Sequence, residues 1–462
     1  MNIERPRGWL HPIRLGSRVV AALSLIVLGL VASPAAAVPS FATQTGQPCQ
    51  ACHVGGFGPQ LTPFGREFKL NGYTQRMNNN SIPLSAMAVA SYVKTSADQP
   101  PTPGYSPNDN FALDQVSLFF AGGLGQHLGA FVQTTYDGIA KAWSWDNLDV
   151  RATTKVDIKG ATAVLGVSLN NSPSAQDAWN TLPAWGYPYT SSALAPSPAA
   201  GPLLSGALAQ NTLGLTGYAW INSKFFIEGG AYGSPSQSTL SSLGADPFDP
   251  GGIKGLAPYG RVAWQQMAGP GVLEVGAFGM RTDIYPGRDR STGFTDRYTD
   301  LGLDASYQTS VRSDDTLTVN ARYMHEKQSL DATCALDAAA AGVATLPGCA
   351  AGSLTDLRAD VSYYWRNRIG ATVAVFDTFG PANPVTYADN RTFKPDSSGV
   401  TFQLDGTPFG GGKSPFGPRF NMRVGVQYTI YGRFNGAGSN YDGMGANASG
   451  NNTFRVFTWF AY

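Results

Sequence analysis

Five consecutive residues, Cys49-Gln50-Ala51-Cys52-His53, stand in the order that covalent haem attachment requires. Two thiols bond the porphyrin vinyl groups, and the imidazole that follows is presented to the iron. A thioredoxin-like dithiol or a small disulfide would use the same two cysteines. A redox dithiol belongs in a βαβ unit, however, and no such pattern surrounds this pair. The motif therefore predicts one covalent haem c with His53 as proximal ligand.

The other side of the iron is open in the sequence. Met77 lies between the haem motif and the first strand, His127 starts the third strand, and Met87 lies in the first. A methionine there would raise the reduction potential relative to a second histidine. Leu61 to Gly72 reads as one short helix, with Thr62 as its cap, Pro63 in its first turn and Gly72 at its exit. Phe64 and Phe68 are one turn apart and are expected over the same face of the porphyrin. Arg66 and Lys69 are expected either beside the haem propionates or in solvent. Cys334 and Cys349 lack a following histidine. In an oxidising compartment they are expected to form a disulfide, stabilising by about 3 kcal/mol in the chain-entropy view.

These residues must be carried by something larger. Arg5, Arg7, Arg14 and Arg18 precede the apolar run Val19 to Ala32, and Ser33-Pro34-Ala35-Ala36-Ala37 follows. That is the pattern of a secretory signal over residues 1–37, too short in its apolar part for a membrane anchor. Residues 38–84 form the haem segment, too few to bury a porphyrin alone. Charged residues are only 14% of the chain, and Gly 55 with Pro 31 is too much for a helical bundle. A formal net charge of +1 without a dense basic run disfavours nucleic acid as a partner.

From residue 85 to 462 the pattern has period two. Leu357, Val361, Tyr363 and Trp365 alternate with Asp356, Arg358, Asp360 and Ser362, and Leu301 and Leu303 with Asp300 and Asp304. An oily face backed by a polar one suits a strand between lipid and lumen. Sixteen such segments are predicted, at 85–95, 113–122, 127–136, 146–157, 161–169, 211–222, 224–233, 257–267, 271–281, 297–309, 315–327, 354–365, 368–378, 400–406, 418–430 and 453–462. The even number and the alternation of long with short connections predict an all-β, antiparallel transmembrane barrel, long loops outside. Only 407–417 is long where a short turn is due. The last strand, with Val456, Thr458 and Phe460 toward lipid, has the aromatic ending that the barrel-assembly machinery recognises. A soluble propeller or sandwich would also supply strands, but not the loop alternation.

A sixteen-stranded barrel leaves an aqueous channel unless something fills it. The haem segment directly precedes strand one, so it is expected to plug the lumen from the periplasmic mouth and to find its cover there. The lumen charges, among them Asp149, Arg151, Arg261, Asp304, Arg322 and Asp356, are expected to pair with one another or with the plug.

Phe41-Ala42-Thr43-Gln44-Thr45-Gly46, Cys49 to His53, and Leu61-Thr62-Pro63-Phe64-Gly65-Arg66 with Phe68-Lys69-Leu70 and Gly72-Tyr73 resemble the fused monohaem cytochrome–porins of the bacterial outer membrane, the extracellular ferrous-iron oxidases. The resemblance implies oxidation of Fe(II) outside the cell and transfer of the electron through one haem to a periplasmic carrier cytochrome. Outer-sphere transfer needs neither a general base nor a nucleophile. Asp98, Asp109, Asp246, Asp249, Asp283 and Asp289 are hard ligands in predicted outer loops, though such residues are more often plain solvated charge. A conduit for another extracellular donor or acceptor, or a diffusion porin with a structural haem plug, are the competing readings.

Overall fold

The computed structural model describes residues 39–77, 83–312, 314–411, 414–416 and 420–462, so the expected signal at 1–37 lies outside the described residues. Its strands are β1 (Leu84–Thr95), β2 (Asn110–Gly123), β3 (Leu128–Asp137), β4 (Ala142–Ile158), β5 (Ala161–Asn170), β6 (Leu213–Ile221), β7 (Phe225–Gly233), β8 (Gly252–Ile253) and β9 (Ala257–Ala268). They continue as β10 (Gly271–Tyr285), β11 (Asp296–Thr309), β12 (Thr316–Leu330), β13 (Ala351–Trp365), β14 (Ile369–Phe379), β15 (Ser397–Gly406), β16 (Asn421–Arg433) and β17 (Thr453–Ala461). β8 is a two-residue piece against the end of β10. The other sixteen each pair antiparallel with their sequence neighbours, and β1 pairs with β17 to close the cylinder. All sixteen predicted segments are strands.

Alternation follows from the pleat, which sends successive side chains to opposite faces. Leu301 and Leu303 are 63% and 60% exposed, and Leu357, Val361, Tyr363 and Trp365 also face outward. A continuous apolar wall of this kind is stable against hydrocarbon, and closure leaves no strand edge unpaired. The protein is an outer-membrane β-barrel, crossing with strands.

The inner face holds the charges. Arg261 binds Asp304 at 2.8 Å and Glu274 at 3.1 Å, Arg322 binds Asp356 at 2.6 Å, and Arg151 binds Asp149 at 2.8 Å. Pairing is what a buried charge requires. Glu228, a further charge of the inner face, is not paired: it is buried with both carboxylate oxygens unpartnered among the described residues. Cys334 and Cys349 form the expected disulfide, beside helix Asp331–Ala340 in the loop before β13.

Two segments fill the lumen. From the short-turn end comes the N-terminal stretch, with helices α1 (Pro39–Thr45), α2 (Cys49–Cys52) and α3 (Pro63–Leu70). From the opposite end comes the connection between β5 and β6, expected as an outer loop. Instead it folds inward, and residues 171–182 are all buried. Leu203 and Leu204 donate their backbone N–H groups to Glu326 and Asp300 of the wall, and Tyr431 donates to the Pro196 carbonyl.

Candidate functional site

Hydrogen bonds and close packing hold the Cys-x-x-Cys-His segment in place. Thr62 caps α3 by accepting from the Gly65 N–H at 3.2 Å, and its hydroxyl donates to the Ala51 carbonyl at 2.5 Å. The Thr62 N–H donates to Cys52 O at 2.9 Å, and a one-pair bridge joins His53 to Leu61. Gly65 is required by close approach: a Cβ there would stand 2.3 Å from the Cys52 carbonyl oxygen. α3 is thus pressed onto the Cys-x-x-Cys turn.

Barrel residues at the short-turn end hold the other flank. Asn367, in the turn between β13 and β14, donates to the carbonyls of Gln50 and His53 and accepts from the Gly55 N–H. Asn421 donates to Gly56 O at 2.9 Å. Gly55 and Gly58 have φ of 70° and 98°, and their missing side chains leave room for Tyr364 and Arg423 of the wall. The connection 407–417 is longer than its fellows for a related reason. Its Gly410 lies against Gly56 and accepts from the Gln50 N–H at 3.1 Å.

Cys49, Cys52 and His53 line one cavity inside the barrel. Its walls are aromatic and come from three sources: Phe41, Phe68 and Tyr73 from the plug, Phe119 and Trp459 from the barrel, and Trp185 and Tyr189 from the inward loop. Phe41 stacks on Tyr73 with ring centroids 5.2 Å apart and meets Phe68 edge-on at 5.0 Å. The inward loop joins the plug directly. Asn180 accepts from the Leu61 N–H at 2.8 Å and donates to Pro59 O at 2.9 Å.

The donor set fits a c-type haem. The two cysteines are not bonded to each other, and burial holds both thiols protonated, Cys52 at a pKa of about 12. His53 is pushed down to about 4, by burial first and then by Arg423, so its imidazole is neutral and able to ligate. Its Nδ1 is buried and has no hydrogen-bond partner among the described residues.

The predicted site residues separate clearly. Phe68 lines the cavity; Phe64, one turn earlier, is half-buried and outside the lining, because α3 presents Phe68 and Lys69 inward. Arg66 is neither in solvent nor at the cavity. It is buried, and its guanidinium donates to Leu61 O at 3.2 Å and weakly to Gln308 of β11 at 3.5 Å, which fastens α3 to the wall. Lys69 does line the cavity, donating to Asp177 O at 2.8 Å with its ammonium 4.2 Å from the Trp185 ring centre. Burial and Arg151 lower its pKa to about 7.

Of the three distal candidates, Met77 is 76% exposed and His127 sits exposed at the β2–β3 turn, its Nδ1 2.9 Å from Thr153 O. Both are outside the cavity lining. Met87 is inside it. Of the outer-loop carboxylates, Asp109 pairs with Lys94 and Asp283 with Arg297. Among the described residues no three His, Cys, Asp or Glu side chains form a metal-holding group. Sequence reasoning missed the inward loop. Its signal was Ala178-Trp179-Asn180-Thr181-Leu182-Pro183-Ala184-Trp185, which is too apolar for a segment bathed in water.

No protein-family model and no curated protein matches the sequence. Similar solved structures include the outer membrane channel DcaP of Acinetobacter baumannii, at 10% identity over 82% of this chain and 96% of that one, with a TM-score of 0.45. OmpT of Vibrio cholerae, as expressed in the outer membrane, is similar at 9% identity, 82% and 97% coverage and a TM-score of 0.40. An anion-selective porin from Comamonas acidovorans is similar at 13% identity, 82% and 99% coverage and a TM-score of 0.40. At such identities and scores no activity passes to this chain.

Proposed function

We propose that this barrel is an electron conduit of the outer membrane, which oxidises Fe(II) at the cell exterior and delivers the electron to a periplasmic carrier cytochrome. The observation that supports it most is the meeting of Cys49, Cys52 and His53 in one aromatic cavity, lined by chain that enters from both ends of the lumen. Export by the N-terminal segment 1–37 belongs to the same reading.

Cys49 and Cys52 would hold a haem covalently and His53 would ligate its iron. When bound, that group supplies reversible one-electron chemistry. The chain does the rest. Phe41, Phe68 and Trp185 exclude water, which lowers the local dielectric and sets the potential by burial. Lys69 places a cation against the cavity wall, where a propionate would find it. The inward loop stops solute from passing beside the plug. Fe²⁺ would reach the outer end of that loop, give up one electron without entering, and leave as Fe³⁺ outside the cell.

The test is rapid mixing of the purified protein with Fe²⁺ while its absorption is followed. Prompt reduction is expected, and none in a His53→Ala variant. Reduction only by other donors would favour a conduit with different substrates. An inert haem in a barrel that leaks sugars from liposomes would favour a porin with a structural plug.

A further inference from the structure

We propose that Met87 of β1 supplies the second axial ligand to the iron and that Trp459 of β17 positions its sulfur, so that the metal joins plug to barrel wall. This rests on the haem reading above. Met87 and His53 line the same cavity, contributed by the barrel and the plug respectively. Strands β1 and β17 close the cylinder, with Met87 opposite Ala461 and Val89 opposite Trp459. Two residues apart on the same face, Met87 and Trp459 meet diagonally across that seam. The Trp459 indole N–H donates to Met87 Sδ at 3.1 Å, and Phe57 of the plug meets the indole edge-on at 4.8 Å. Trp459 is buried, which fixes the direction of its N–H.

A thioether sulfur has two lone pairs. One takes the indole N–H and the other remains for a soft-tolerant metal. Other donors on the cavity wall are less suited. Tyr73 is committed to Asp149 by a 2.6 Å hydrogen bond, and Lys69 to the Asp177 carbonyl. The Tyr189 hydroxyl has no hydrogen-bond partner among the described residues, but burial raises its pKa well above the usual value, so no phenolate is at hand. Methionine opposite histidine raises the potential, and an N–H bond to the sulfur withdraws electron density and raises it further. A donor as reluctant as Fe²⁺ needs such an acceptor.

The experiment uses the full-length, haem-loaded protein in detergent, with its near-red absorption and equilibrium potential measured. The wild type is expected to show the sulfur-to-iron charge-transfer band of a ferric haem with methionine bound. Met87→Leu, nearly equal in volume, loses the band and shifts to lower potential, whereas Met77→Leu changes neither. Trp459→Phe keeps the band at a lower potential. A haem-loaded wild type without the band overturns the proposal, whatever the variants do. So does a band that survives Met87→Leu, or a ligand signature removed by Tyr189→Phe or Lys69→Met instead. Protein carrying no covalent haem at all refutes the haem reading itself, a different outcome from a missing sulfur.

Discussion

Gly65→Ala should loosen the plug from within while leaving the barrel intact. In an exposed helix this change is favourable by about 1 kcal/mol, since Gly is the poorer helix former. At Gly65 the sign reverses. The new Cβ would lie 2.3 Å from Cys52 O, 3.0 Å from Cys52 C and 3.1 Å from Cys52 Cα. All three are backbone atoms, so no rotamer change relieves the clash. Overpacking of this kind costs up to about 3 kcal/mol, leaving a net loss of roughly 2 kcal/mol, or about thirtyfold in the undocked population. Hydrogen exchange on the detergent-solubilised protein reads this directly. Peptides spanning 49–70 should lose protection by roughly that factor, while those from β9 to β14 keep theirs. Gly229→Ala is the control, because nothing lies within 4 Å of its added Cβ. Unchanged protection over 49–70, or an equal loss in the control, would refute the tight docking of α3 on the haem motif.

Asp304→Ala removes the nearest partner of Arg261, a guanidinium with no exposed side-chain surface. Glu274 and Asp177 remain nearby, so the loss should be about 3 kcal/mol, the low end for a broken buried pair, seen as a lower temperature of gel-mobility collapse. Asn180→Ala breaks both hydrogen bonds of that side chain to the plug, leaving the bond from Lys69 to Asp177 O, and ion current through single barrels in planar bilayers should rise. Replacing Cys334 and Cys349 by Ala should expose the segment 331–350 to protease and leave the fold and the electron-transfer rate unchanged. In a Cys49→Ser/Cys52→Ser chain, which cannot anchor a haem, plug docking should depend on pH through Lys69. Its pKa is lowered from 10.5 to about 7 on docking, so the undocked form binds more protons between those values. Docking should therefore strengthen as pH rises from about 7 toward 10.5 and stay level below 7. Exchange protection that falls over that window would contradict the buried setting of Lys69.

The barrel was legible because lipid on one side and packed polar groups on the other impose a period of two on every strand. In β15 only Val400, Phe402 and Leu404 mark the oily face, with Gly399 and Gly406 on either side, so the sequence reveals 400–406 of a strand that runs Ser397–Gly406. β10, β12 and β13 run beyond their predicted outer ends, to Tyr285 and Leu330 and from Ala351. Past the hydrocarbon the outer face need not be apolar, so the periodicity fades before the hydrogen bonding does. The spacing of Cys49, Cys52 and His53 carries the haem expectation by itself, but the surroundings of those residues were not legible in the sequence. Phe64 and Phe68 share a helical face in sequence, yet the packing of α3 on Cys52 turns only Phe68 toward the cavity. Arg66 looked like a propionate partner because nothing in its neighbourhood of sequence reveals Gln308, more than two hundred residues away. Met77 and Met87 were equal as residues; only closure of β1 on β17 separates one sulfur from the other.

The central claim is vectorial: an electron crosses the barrel and a solute does not. Liposomes bearing the haem-loaded protein, with a soluble c-type cytochrome and a sugar trapped inside, test it in one measurement. Fe²⁺ added outside should reduce the enclosed cytochrome while the sugar stays in, and with the His53→Ala protein the cytochrome should stay oxidised with the sugar still inside. Sugar escaping while the enclosed cytochrome stays oxidised would contradict the account.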